Sequence, residues 1–134
     1  MGDEPLIVLD THVLVWWLTG SAPLSRAAKL AVAKAADQIV ASAISVLEIV
    51  TAHRRDRLKF TVPLEQWLAD ARRLPELRFE PVTAEIAQLA GSFGEDMHGD
   101  PADRIIAATA IILNASLITA DRKLRANRAL KTIW

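Results

Sequence analysis

Apolar residues recur along the chain in two alternating rhythms. Short continuous runs occur at LIVLD (6–10), QIVAS (38–42), LRFEPV (77–82), SLITAD (116–121) and KTIW (131–134). Runs this short, rich in Ile, Leu and Val, predict buried strands. Between them the spacing turns helical, at THVLVWWL (11–18), SRAAKLAVAKAA (25–36), ISVLEIVTAHRRDRL (44–58), PLEQWLADARRL (63–74), TAEIAQLAGSF (83–93) and PADRIIAATAIILN (101–114). Several of these open on Ser, Thr or Pro, residues suited to a helix start. Strands alternating with helices predict parallel pairing through right-handed crossovers. The expected fold is a three-layer α/β/α sandwich around a central parallel sheet of about five strands. No repeat, linker or low-complexity segment interrupts the pattern; the alanine-rich stretch at 25–36 keeps helical spacing.

Composition narrows the chemistry. The chain has 134 residues, 51% of them hydrophobic, enough for one domain (1–134) and too few for a second. It has no cysteine, so disulfides and thiolate metal sites are excluded and any metal site must use oxygen or imidazole ligands, which favours hard cations. The start, MGDEP, is acidic, and no apolar run approaches the roughly 18 residues of a membrane span, so a soluble cytoplasmic protein is expected. Sixteen basic and sixteen acidic residues cancel. Any nucleic-acid contact must therefore come from local clusters, of which HRRDRLK (53–59) and DRKLRANRALK (121–131) are the candidates, against a plain reading as solvated helix faces.

The acidic residues carry the most information. In DPADRIIAATA (100–110), Pro101 suits the first helical position, which makes Asp100 the N-cap and puts Asp103 in the first turn. Both carboxylates then have a structural reading as helix caps opposing the macrodipole. Asp103, however, aligns at helical spacing with Ala107, Ala110 and Asn114 on a helix apolar on almost every side. Such a helix is buried, so Asp103 is expected to face the sheet, where a carboxylate needs a cation or hydrogen bonds. Asp10 and Asp121 each end a strand and each has a capping reading too. Strand carboxyl ends are also where parallel sheets collect ligands. Glu48, one turn beyond a third strand, shares a helix face with Ser45, Thr51 and Ala52 and either faces solvent or joins the others. If the four converge, their mutual repulsion requires a cation, and Mg²⁺ or Mn²⁺ is the expected cofactor.

Four blocks, LIVLDTHVLVWWL, ASAISVLEIV, HGDPADRIIAATA and LITADRKL, together and in this order resemble PIN-domain ribonucleases, most closely the VapC toxins of bacterial type II toxin–antitoxin pairs. The resemblance runs from residue 6 to residue 124. It implies a parallel sheet flanked by helices and an acidic quartet of Asp10, Glu48, Asp103 and Asp121. It also implies accompanying hydroxyls at Thr11 and Thr119, and an accessory acid at Asp100. The activity implied is metal-dependent endoribonuclease cleavage of tRNA or rRNA by activated water, leaving 5′-phosphate and 3′-hydroxyl ends and inhibiting translation. Asp10 and Asp103 are then expected to carry the metal, Asp121 to complete the site or hold a second ion through water, and Glu48 to orient or deprotonate the attacking water. Thr11, Ser45 and Thr119 support them, and Arg104, Arg122, Arg54 and Arg55 are expected to meet RNA phosphates, Arg104 alternatively pairing a nearby carboxylate. Two departures bear on partner fit rather than chemistry: Ala102 stands where relatives often carry a bulky aromatic, and residues 51–56 are unusually polar.

The resemblance further implies a cognate VapB-type antitoxin and a homodimer. VLVWWL (13–18) is apolar around its whole circumference, and Trp16 and Trp17, about 100° apart, cannot both lie on the sheet. Neighbouring helices, including Trp67, or a second copy would cover the outer one; the resemblance favours an antitoxin groove at Trp16 and Trp17, with a basic antitoxin side chain reaching the carboxylates. Rival readings are weaker. An aspartyl-phosphate phosphohydrolase wants a second acid where His12 stands, and a receiver domain wants adjacent acids early in the chain. His12, His53 and His98 suggest core or surface roles rather than a histidine-pair nuclease, and an inactive PIN-fold binding module would be expected to have lost a member of the quartet.

Overall fold

The computed structural model describes residues 6–97 and 99–134; the acidic MGDEP start and His98 lie outside the described residues. Five strands form one sheet: β1 (Ile7–Leu9), β2 (Ile39–Ser42), β3 (Leu77–Glu80), β4 (Ser116–Ile118) and β5 (Thr132–Ile133). All pairs are parallel and the order is β3-β2-β1-β4-β5. The chain leaves β1 toward one edge and later returns to β1's other side at β4. The sheet thus reverses its winding between β1 and β4, and in such sheets a crevice opens there, beyond the strands' carboxyl ends.

Period-two alternation divides the core into the two expected layers. Ile7, Leu9, Ile39, Ala41 and Ile118 face one side, where they pack with Val13, Leu14 and Val15 of α1 (Thr11–Thr19) and Ala28 and Ala35 of α2 (Arg26–Ala35). The same cluster takes in Ile49 of α3 (Ala43–Arg54) and borders Trp67 and Leu68 of α4 (Leu64–Arg73). Val8, Val40 and Leu117 face the other side and meet Ile106, Ala107 and Ala110 of α6 (Pro101–Ile112) and Leu124 of α7 (Arg122–Arg125). The small side chains of α6 let it lie close to the sheet, while α5 (Ala84–Ser92) covers its outer face, Ile86 and Ala90 packing on Ala108 of α6. Among the described residues no helix is long and apolar enough to cross a membrane.

The five strands and helices α1 to α6 match the pattern expected from the hydrophobic rhythm, most with shorter ends; α1 runs one residue further, to Thr19, α3 starts one residue earlier, and the short α7 is additional to it. α3 stops at Arg54 rather than at residue 58, because the chain turns through a left-handed residue at Asp56 (φ 58°). Asn114 does not complete the Asp103 stripe: it lies past the end of α6 in a left-handed conformation (φ 52°), its side-chain oxygen accepting from Lys131 Nζ at 2.8 Å.

Candidate active site

Strand ends and helix starts bring five carboxylates together. Asp10 follows β1, Asp121 follows β4 by a short turn, and Glu48 sits in the second turn of α3, which begins directly after β2. Asp100 and Asp103 open α6. With Thr11, His12, Trp16 and Ala120 these five acids line a cleft of about 320 Å³. The four acids expected to converge therefore share one cleft, and Asp100 joins them as a fifth.

Capping and site geometry prove compatible. Asp10 Oδ1 accepts from Thr11 N at 2.9 Å, Asp100 Oδ1 from Ala102 N at 2.9 Å, and Asp121 Oδ1 from Lys123 N at 2.8 Å and Leu124 N at 3.2 Å. Each of the three caps a helix and also borders the cleft. The cap bonds fix the carboxylates' positions at low entropic cost, since the backbone donors are already ordered.

Hydroxyls tie the acids together. Thr119, fully buried, donates from Oγ1 to Asp10 Oδ2 at 2.7 Å and accepts from Asp121 N at 3.0 Å, so one side chain fixes the relative position of two acids. On the other side Thr11 Oγ1 donates to Glu48 Oε1 at 2.5 Å and lies 2.7 Å from Ser45 Oγ. A threonine hydroxyl has one proton; given to Glu48, it leaves Ser45 as the donor to Thr11. Ser45, Thr11 and Glu48 form a directional chain that orients the glutamate toward the cleft.

Burial raises the pKa of Asp10, Glu48 and Asp103. Burial pushes Asp10 above the ordinary carboxylate value, opposed by its bonds from Thr119 and Thr11. Burial likewise raises Glu48, opposed by Thr11 and reinforced by Asp10 and Asp100. Asp103 is pushed furthest, to about 7, first by burial and then by the charges of Asp10, Asp100, Glu48 and Asp121. Such a set suits a divalent ion, whose charge offsets the repulsion.

The donor chemistry fits the same group. Glu48, Asp100 and Asp103 each offer an oxygen within 4.8 Å of the others. An octahedral Mg²⁺ with oxygens at about 2.0–2.1 Å spans about 4.2 Å between opposite ligands, so this spacing needs only small side-chain adjustment. The closest trio includes Asp100, expected from sequence only as an accessory, in place of Asp10 and Asp121.

Other expectations fare differently. Arg104 does not face the cleft: Nε donates to Ala90 O at 3.0 Å, Nη1 to Met97 O at 3.4 Å and Nη2 to Phe93 O, with the guanidinium over the Phe93 ring. Each of its three nitrogens donates to a backbone carbonyl and the residue does not line the cleft, which corrects both the phosphate contact and the carboxylate pairing expected of it. Arg55 lines a second groove, of about 620 Å³, together with Arg57, whereas Arg54 and Arg122 are exposed and line neither cavity.

The second groove runs between α1 and α3 and opens into the cleft, sharing Thr11, His12, Trp16, Glu48 and Asp100 with it. Val15, Ile44, Leu47, Leu58, Pro101 and Ala102 make it largely apolar. Trp16 lines it; Trp17 does not, since one residue of helix turns it about 100° away, against the core on the α1 side of the sheet. Trp67 is stacked on Phe60 with ring centroids 4.3 Å apart. Sequence reading missed His12 and Trp16 as cleft residues; the signal available was their i, i+4 spacing one residue past Asp10–Thr11.

Comparison with known proteins agrees with this geometry. Residues 7–130 match the PIN domain family. The chain is 36% identical over 131 residues to ribonuclease VapC22 of Mycobacterium tuberculosis (strain ATCC 25618 / H37Rv), covering 96% of this chain and 98% of the relative. In fold it is similar to a chain of a toxin–antitoxin complex from Klebsiella pneumoniae, with a TM-score of 0.65 and 23% identity over 92% of this chain and 94% of that one. It is also similar to a chain of DNA-bound VapBC from Salmonella typhimurium, with a TM-score of 0.70 and 16% identity over 96% of each. A parallel sheet reversing at β1, acids gathered at its carboxyl edge and a match spanning nearly the whole chain lead to one conclusion: this protein belongs to the PIN-domain family.

Proposed function

We propose that residues 1–134 act as one PIN domain, a metal-dependent endoribonuclease that serves as the toxin of a type II toxin–antitoxin pair. It hydrolyses phosphodiester bonds in RNA, with tRNA or rRNA as the target class, and thereby inhibits translation. The observation that carries this reading is the convergence of Asp10, Glu48, Asp103 and Asp121, with Asp100, in one cleft at the sheet's reversal point. A ribonuclease 36% identical over nearly the whole chain supports it. The aspartyl-phosphate alternative loses its footing, because His12 stands where its second acid would be and five carboxylates crowd the cleft.

Asp10, Asp103 and Asp100, with Glu48 beside them, would hold Mg²⁺ or Mn²⁺, and Asp121 would complete the site. The ion, when bound, supplies Lewis-acid charge at the phosphate and lowers the pKa of water. Glu48, oriented by the Ser45–Thr11 chain, accepts a proton from the attacking water. Thr119 keeps Asp10 and Asp121 in register. Arg55, with Arg54 and Arg122 further out, meets phosphates flanking the cut.

A cognate VapB-type antitoxin neutralises the enzyme by laying an apolar segment in the groove between α1 and α3, with Trp16 as its anchor. A basic side chain on that segment pairs with the cleft carboxylates in the ion's place. The toxin assembles as a homodimer. Purified protein incubated with RNA tests the reading. Cleavage should require Mg²⁺ or Mn²⁺, stop in chelator, leave 5′-phosphates, and disappear when the upstream-encoded small protein is added. Cleavage that persists in chelator, or cyclic-phosphate products, would overturn it.

A further inference from the structure

The metal chemistry does not account for the aromatic rim of the cleft. His12 and Trp16, four residues apart on α1, stand on one helix face with ring centroids 5.8 Å apart and planes 40° apart. Trp134 extends the row, its ring 5.9 Å from Trp16. It comes from the far end of the chain because β5 pairs parallel with β4, so the residue after Ile133 arrives at the same carboxyl edge as Thr119. His12 is exposed and Trp16 and Trp134 are only partly buried. A tryptophan ring in a cleft lined mainly by carboxylates costs exposed apolar area, with no gain to a metal site.

We infer that His12 and Trp16, backed by Trp134, form a stacking platform for one unpaired nucleobase of the RNA, beside the phosphodiester held at the acidic cleft. The inference rests on the ribonuclease reading and adds to it a base subsite and a substrate requirement. Every phosphodiester in RNA carries a base on each side, and an aromatic ring adjoining the phosphate site meets whichever base lies on that side. Stacking tolerates any base identity, because every base has a π-face. It does not tolerate pairing, since a base inside a duplex has both faces covered by its neighbours. The platform therefore selects a loop, bulge or single strand at the cut, whatever the surrounding fold of the RNA. The apolar groove continues from the same Trp16 in the other direction, so an antitoxin seated there covers the ring and displaces the base.

The test is steady-state cleavage of a single-stranded oligoribonucleotide, intact or with one abasic site placed in turn at each position around the cut. Wild type is compared with Trp16→Ala, Trp16→Phe and His12→Ala. Trp16→Ala should raise KM by roughly 5- to 150-fold, the range for losing one base–aromatic stack, and Trp16→Phe should recover most of it. One abasic position should cost the wild type a similar factor while costing Trp16→Ala almost nothing more. His12 is exposed, so His12→Ala preserves the fold and should show a smaller KM rise that vanishes on the same abasic substrate. If the protein and abasic penalties simply multiply at every position, the platform is refuted although the enzyme still cleaves. The same holds if Trp16→Ala cleaves like wild type and loses only antitoxin binding, in which case the ring serves the partner. Failure of the wild type to cleave any RNA with Mg²⁺ or Mn²⁺ would instead overturn both this inference and the ribonuclease reading beneath it.

Discussion

Replacing Asp103 by Asn removes one charge from the crowded cleft while leaving a side chain of the same shape. The Asp103 carboxyl sits at about 7 in the folded chain against an ordinary 3.8, so the folded state binds this proton more tightly than the unfolded state. Its contribution to stability is fully present below the unfolded value and is lost as pH rises through about 7. Between pH 5 and pH 8 the difference amounts to about 2 pKa units, or at most about 2.6 kcal/mol. Solvent reaches this partly buried group and screens it, so about 1–1.5 kcal/mol is expected. For a chain of this length that is roughly 3–5 °C in Tm. In chelator, wild type should therefore weaken by that amount relative to Asp103→Asn as pH goes from 5 to 8. At pH 8 the variant should be the more stable protein. Adding Mg²⁺ should reverse the order, because the ion stabilises only the chain that binds it. Thermal unfolding of both proteins at four pH values, with chelator and with Mg²⁺, reads all of this, and RNA cleavage by the variant should be absent. A pH-independent difference in stability, or metal-dependent cleavage by Asp103→Asn, would refute the reasoning.

Thr119→Val keeps the shape but leaves Asp121 N without the hydroxyl it donates to and Asp10 without a bond that lowers its pKa; a loss of about 1–3 kcal/mol in urea unfolding is expected. The cleavage pH profile should also move to higher pH, because Asp10 ionises later. Arg104→Met should cost about 2–4 kcal/mol through the abandoned carbonyls of Ala90, Phe93 and Met97. It should leave the salt dependence of RNA binding unchanged, whereas loss of a phosphate contact would lower the slope of log K against log salt by about 0.7; unchanged stability with a reduced slope would restore Arg104 to the RNA.

The parts of this molecule legible in the sequence are those governed by local rules. Strand runs such as LIVLD and SLITAD and the helix start at Asp100–Pro101 need only period and capping preference, and they locate three of the acids. Parallel topology then adds that residues just past β1 and β4 meet, and α3, following β2 directly, brings Glu48 to them. Cap and cleft acid are compatible readings because a carboxylate has more lone pairs than a cap uses: Asp10 accepts from Thr11 N through Oδ1 and from Thr119 through Oδ2 while bordering the cleft. What stayed illegible depends on contacts between elements distant in sequence. Arg104 follows an acid at a helix start, the place where a phosphate contact is plausible. Its carbonyl partners lie 7 to 14 residues back, in α5 and the loop after it, and no periodicity points there. Which of two adjacent tryptophans meets the cleft is likewise decided by how α1 rests on the sheet. Val13 and Leu14 go to the core with no exposure, which leaves His12 and Trp16 at the rim and turns Trp17 away from it. The one-residue phase of that helix thus places an aromatic face at the junction of the acidic cleft and the apolar groove, and if both proposals hold, RNA and antitoxin compete for the same ring.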